Sequence, residues 1–142
     1  MNLNEDTRYN VVTYRIERAF IALDQAKKNL EINCLEVTAN RLYYAAYYAV
    51  SALLIAHKIP AHSHDGNIQQ FGLHFVKPGV VSRDFAKLLR QLFTMRLTGD
   101  YSDRFGLTAE EVAPKIAPTE DFVVQVTSLA RQKMDMEHTE GR

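Results

Sequence analysis

The chain has 142 residues, 46% of them hydrophobic and 10% aromatic, a length that suits one domain and a composition that supplies a packed core. Seventeen basic and seventeen acidic residues cancel, which excludes a global positive field for holding DNA or RNA, so any nucleic-acid contact has to come from a local patch. A lone Cys34 excludes an internal disulfide, the start MNLNEDTRYN lacks the basic-then-apolar pattern of a signal peptide, and a reducing, cytoplasmic location is expected.

From about Asn10 to Glu31, Ile16, Ala19, Phe20, Leu23 and Leu30 recur at three- and four-residue steps, which predicts an amphipathic first helix. Asn33 and Cys34 break the pattern, and Glu36 or Thr38 opens a second helix that a short connection makes the antiparallel neighbour of the first. Its stretch from Leu42 to Ala56 contains no Asp, Glu, Lys or Arg. A helix apolar on nearly every side is buried on most of them, and this one is too short to span a membrane. Ala45, Ala49, Ala52 and Ala56 form a narrow stripe suited to close packing, within the chain or across a dimer, and Arg41, Tyr44, Tyr48 and Ile55 share another arc. Pro60 is expected to close the helix.

Ala61 to Gly66 reads as a loop, and Ile68, Phe71 and Phe75 as the apolar face of a short third helix stopped by Lys77-Pro78-Gly79. Ser82 is the expected N-cap of a fourth helix running to about Leu97, with Phe85, Leu88, Leu89 and Leu92 on its buried stripe. Gly99 and Asp100 mark the turn that follows, Thr108 to Glu111 a capping box, and Pro114 and Pro118 a split in the last region. Phe122, Val126, Leu129 and Ala130 supply the stripe of a terminal helix. No run alternates with a period of two. The expected architecture is all-α, an up-and-down bundle of four main helices plus one or two short ones, in a single domain over residues 1–142 with frayed ends at about 1–8 and 136–142.

Arg96 is the most informative position, because it continues the Leu89 and Leu92 stripe onto the core face, whereas Arg83, Lys87 and Arg90 point away. A guanidinium there pairs with a carboxylate such as Asp100 or is presented to a phosphate in a cleft. Arg41, Tyr43, Tyr44 and Tyr47 reach the same region from the second helix, unless those tyrosines sit at the edge of the core with their hydroxyls in water. His57, His62, His64 and His74 with Asp65 raise metal chemistry, but no HExxH or CxxC spacing accompanies them, so no metal and no cofactor are expected. His64 reads as a helix cap or an exposed loop residue. No GxxxxGK[ST], GxGxxG or GxSxG occurs, and neither Ser51 nor Cys34 sits in a nucleophile motif.

Three blocks in order resemble small stand-alone prokaryotic members of the HEPN family, over roughly Tyr14 to Leu129. They are Asn40-Arg41-Leu-Tyr-Tyr-Ala-Ala-Tyr-Tyr-Ala49, His64-Asp-Gly66 followed by Phe71 and His74-Phe-Val-Lys77, and Leu92-Phe-Thr-Met-Arg96-Leu-Thr-Gly-Asp-Tyr101 leading to Glu110-Glu111. The resemblance implies a helical bundle that homodimerises, an RNA or nucleotide ligand, a toxin–antitoxin-like module and a minimal nucleotidyltransferase as partner, with no membrane. It also implies a metal-independent ribonuclease motif of Arg, four to six residues, then His. Arg96 matches the arginine, but Tyr101, Ser102 and Asp103 stand at the histidine positions and no histidine follows until His138. A tyrosine with a pKa of about 10 exchanges protons poorly at neutral pH where an imidazole does so well, while an arginine still binds phosphate. Arg96, with Asp100 orienting it and Tyr101 beside it, is thus the expected phosphate site, and Arg41, Tyr44, Tyr47 and His64 complete the nucleotide-binding set. Two alternatives stay open. One is an active ribonuclease with a variant Arg-x4-Tyr motif or a histidine from elsewhere, and the other is a purely structural dimerisation module with Arg96 in a core ion pair.

Overall fold

A computed structural model describes residues 4–101 and 106–140, of which the side chains of 99–101 and 138–140 fall outside the description. Four long helices carry the architecture: α1 (Glu5–Glu31), α2 (Leu35–Ala56), α4 (Arg83–Tyr101) and α6 (Ile116–Glu140). Short helices α3 (His64–Phe71) and α5 (Ala109–Val112) lie between them, and no strand occurs among the described residues. The protein is an all-α bundle, as its periodicity predicts.

α1 begins five residues before the periodicity shows it, because the Asn4 side chain accepts the Thr7 N–H at 2.7 Å and Glu5 and Asp6 place negative charge in the first turn. The stretch expected to fray up to Arg8 is therefore helical from Glu5, and Arg8 is only 2% exposed. Asn33, with φ of 61°, ends α1 in the left-handed region that asparagine tolerates, and the chain turns straight into α2.

α2 is the core of the core. Leu42, Tyr43, Ala45, Ala46, Ala49, Ala52, Leu53 and Ala56 are fully buried, and α2 touches each of the other long helices. Its most extensive neighbour is α1, which offers Ala19, Ala22 and Ala26, also fully buried. Small side chains on both surfaces let the two backbones approach closely. The alanine stripe is thus consumed inside the chain. α2 ends before Pro60 acts on it: Lys58 adopts φ of 59°, and the Ile59 N–H returns to the Leu54 carbonyl at 2.9 Å.

The expected loop from Ala61 to Gly66 is shorter than its composition suggests, since Ser63 caps α3 and His64, Asp65 and Gly66 belong to the helix. The Gly66 N–H donates to Ser63 Oγ at 2.9 Å, and a Cβ on Gly66 would sit 3.0 Å from that oxygen, so the cap fits best with glycine. The chain then widens into a π-turn over Gly72–Val76, which keeps both Phe71 and Phe75 buried. Phe71 and Phe85 close on Phe122 of α6 at centroid distances of 5.7 and 5.0 Å.

Two other boundaries differ from expectation. α4 continues past Leu97 through Gly99 and Asp100, where a turn was expected, because a single glycine costs a helix only about 1 kcal/mol and no proline follows nearby. Pro118 does not split the last region: it is the third residue of α6, where its missing N–H would have had no helical partner, while Pro114 sits in a 3₁₀ turn over Ala113–Lys115. Thr108 caps α5 as its motif predicts, accepting the Glu111 N–H at 3.3 Å while its hydroxyl donates to the Glu111 carboxylate at 3.1 Å.

Candidate functional site

The N-terminal half of α2 presents Arg41, Tyr43, Tyr44 and Tyr47 toward α3 and α4, and the side chains that meet them are His64 and Arg96. The Arg96 guanidinium carbon lies 5.5 Å from the Tyr43 ring centre and 5.3 Å from that of Tyr44. Arg41 approaches the Tyr44 ring to 5.2 Å, steadied by hydrogen bonds to Asn40 Oδ1 at 2.8 and 3.0 Å and to Gln25 Oε1 at 3.3 Å. Cation–π attraction of this kind helps hold a guanidinium in place over the ring faces.

His64 is drawn into the same cluster. Its ring stacks on Tyr47 with centroids 4.4 Å apart and planes 13° from parallel, and Tyr44 meets it edge-on at 5.8 Å. The Tyr43 hydroxyl and His64 Nδ1 share a hydrogen bond of 2.7 Å. Tyr43 is fully buried and is also braced by Phe93 of α4 at 5.5 Å, so its hydroxyl serves His64 and does not face water. His64 is accordingly held by three tyrosines of α2, beyond the cap or loop residue its composition suggests. With Nδ1 engaged, Nε2 is the ring nitrogen through which the imidazole would exchange a proton with a ligand.

Burial pushes the Tyr43 hydroxyl well above its ordinary value, with Arg96 pulling the other way, so it remains a neutral hydrogen-bonding group at physiological pH. Burial, and then the Arg96 charge, lower the His64 pKa below 6.5, against the opposing pull of Asp65. His64 is therefore neutral at pH 7, and its proton-detected titration by NMR is expected to fall below 6.5. His57, packed edge-on against Phe75 at 5.0 Å, is lowered as well, chiefly by burial. Because the unfolded chain binds more protons than the folded one in this window, both groups contribute stability that is complete above pH 6.5 and is lost as pH falls through their folded values. A flat unfolding midpoint between pH 7 and 5 would contradict this.

Of the residues singled out in the sequence, Arg96, Arg41, Tyr44, Tyr47 and His64 come together. The side chains of Asp100 and Tyr101, and residues Ser102 and Asp103, lie outside the described residues. The other histidines diverge: His57 is on Phe75, His74 on Gln70, and His62 lines a cleft that Tyr47 also borders. Among the described residues no group of three His, Cys, Asp or Glu is placed to hold a metal ion, and no helix is long and apolar enough to cross a membrane. Chemically, the cluster offers a planar cation for phosphate oxygens, aromatic faces for a base or sugar, and one imidazole near neutrality. Sequence reading missed Arg8, although it extends the buried Val12, Ile16 and Ala19 stripe of α1 by one more four-residue step.

The chain is thus an all-α bundle in which an arginine, an imidazole and a run of tyrosines converge on the central helix. The HEPN domain model matches residues 12–128, and the chain is a member of the HEPN family. A UPF0332 protein of Thermotoga maritima is 35% identical over 119 residues, covering 84% of this chain and 90% of its own. UPF0332 protein PH1297 of Pyrococcus horikoshii is 40% identical over a shorter stretch, 47% of each chain. A Methanocaldococcus jannaschii protein named "Putative toxin MJ0142" is 25% identical over 96 residues, 68% of this chain and 65% of its own.

Proposed function

We propose that this HEPN protein binds RNA or a nucleotide at the Arg96–His64 cluster, works as a homodimer in the cytoplasm, and forms a toxin–antitoxin-like module with a nucleotidyltransferase partner. The observation that carries the reading is Arg96 held over the Tyr43 and Tyr44 rings beside the His64–Tyr47 stack. A guanidinium fixed over ring faces carries the planar charge that suits a phosphate, and the neighbouring aromatic planes suit a base. The toxin-like part draws on the name of the M. jannaschii relative, and the partner on the family resemblance.

Calorimetric titration with uridine 5′-monophosphate tests the site. Arg96→Ala is expected to weaken binding about tenfold or more, since a charge-assisted pair contributes on the order of 2 kcal/mol. Unchanged affinity in a folded Arg96→Ala protein would leave only the structural module. Co-purification with a stoichiometric nucleotidyltransferase tests the partnership.

One observation favours a second reading, a metal-independent ribonuclease. The imidazole absent after Arg96 is supplied by His64, which shares the Tyr43 and Tyr44 rings with Arg96. His64 would take the proton of a ribose 2′-hydroxyl as that oxygen attacks the adjacent phosphorus, forming a 2′,3′-cyclic phosphate as the P–O5′ bond breaks and the 5′-oxygen takes a proton from water. Arg96 would hold the phosphoryl oxygens as their charge grows.

A further inference from the structure

Tyr47 has two sides. One face of its surroundings is the His64 stack; the other is a cleft of about 460 Å³ between α1, the end of α2 and the segment leading into α3. That volume falls in the range of small-ligand sites. Its lining includes Arg8, Arg15, Lys58 and His62 and no Asp or Glu. In a chain whose charges cancel overall, this is a local concentration of positive charge. Arg8 forms the floor and is already neutralised by Glu5 and Glu137, although its buried Nε has no protein partner. Arg15 and Lys58 are the cations nearest the solvent: Arg15 rests on the Tyr48 ring at 5.8 Å, and exposed Lys58 makes a long, solvent-exposed ion pair with Glu5 at 3.7 Å that a phosphate would compete for. Asn67, on α3, is buried and faces the same space.

We infer that this cleft is a second nucleotide subsite, taking the phosphate and base that adjoin the nucleotide held at Arg96 and His64. The ligand is then a single-stranded oligonucleotide that passes over Tyr47, and a mononucleotide fills only part of the surface. The inference rests on the proposed function of the Arg96 cluster and extends it. Three features support it together: the shared Tyr47 makes the two sites continuous, the cleft has the charge a phosphodiester requires, and aromatic faces beside a basic track are the usual means of holding single strands.

Binding of uridine 5′-monophosphate and of 2′-O-methyl hexauridylate, which cannot be cleaved through its 2′-oxygen, separates the two ideas. Wild-type protein is expected to bind the hexamer at least about tenfold more tightly than the monomer. The double variant Arg15→Gln with Lys58→Gln is expected to lose about tenfold of hexamer affinity while its monomer affinity stays unchanged, and to flatten the salt dependence by roughly 0.7 for each phosphate released. Arg96→Ala should weaken both ligands, and Lys87→Ala, on the basic face of α4 away from the cluster, should weaken neither. Equal affinity for the two ligands, or a double variant that binds the hexamer as wild type does, overturns the second subsite while leaving the Arg96 site intact. If wild type binds neither ligand, the proposed function fails and the subsite with it. Thermal melting of each variant confirms that it is folded.

Discussion

Arg8→Ala is expected to lower the unfolding free energy by about 3 kcal/mol, the loss that breaking a buried, multiply bonded charge brings. The side chain ties three chain segments together. Its guanidinium donates to the Ala56 carbonyl at the end of α2 at 2.7 Å, to Glu5 at 2.8 Å, to Met134 Sδ at 3.2 Å, and to Glu137 on α6. Positive charge at the end of α2 also offsets the negative pole of that helix. Alanine would strand the Ala56 carbonyl and leave the Glu137 carboxylate to the longer pair with Lys133 at 3.6 Å and the more distant charge of Lys58. Burial raises the Glu137 pKa, but the hydrogen bond and charge of Arg8, with Lys133 and Lys58, outweigh it and hold the group below 4.5. A lowered carboxylate contributes stability that is present above its unfolded pKa and lost as pH falls through the folded one. In urea unfolding, Arg8→Ala should therefore lose both stability at pH 7 and part of the acid sensitivity, while Glu137→Gln, which keeps an acceptor, should cost less. A loss below about 1 kcal/mol would mean that water replaces the clamp without penalty.

His64→Gln is expected to reduce metal-independent RNA cleavage by about 100-fold or more, the usual contribution of a positioned acid–base group. Glutamine keeps the approximate size of the ring and a partner for the Tyr43 hydroxyl, but it cannot carry a proton in this pH range. The measurement is cleavage of a single-stranded RNA by protein treated with a chelator, followed across pH. Because burial and Arg96 lower the His64 pKa, its basic form persists below pH 6.5, and the acid limb of the wild-type profile should lie below that value. Cleavage by wild type that His64→Gln leaves untouched would remove the imidazole from the reaction. No chelator-resistant cleavage by wild type would leave the nucleotide-binding reading without an enzymatic step.

Much of the architecture was legible from residue spacing. The stripes of α1, α4 and α6 and the charge-free run in α2 identify buried faces, because burial imposes helical periodicity on apolar residues. Boundaries were less legible. Asn4, Lys58 and Pro118 each act through local backbone geometry, a cap, a left-handed residue and a first-turn proline, and none of these leaves a periodic trace. The same division runs through the site. Helical angle places Arg96 on the core-facing stripe of α4, and the structure sets its guanidinium against the Tyr43 and Tyr44 rings.

By itself the sequence determined that this is an all-α protein built around α2, with Arg96 on a core-facing stripe, since those properties follow from the order of side chains along single helices. Only the tertiary structure decided that His64 stands with Arg96 over the tyrosines, that Arg8 clamps α1, α2 and α6, and that the alanine stripe is buried within the chain. Periodicity encodes which face of a helix is buried, but the neighbour that covers it depends on how helices cross, and that is set by packing among residues far apart in the chain.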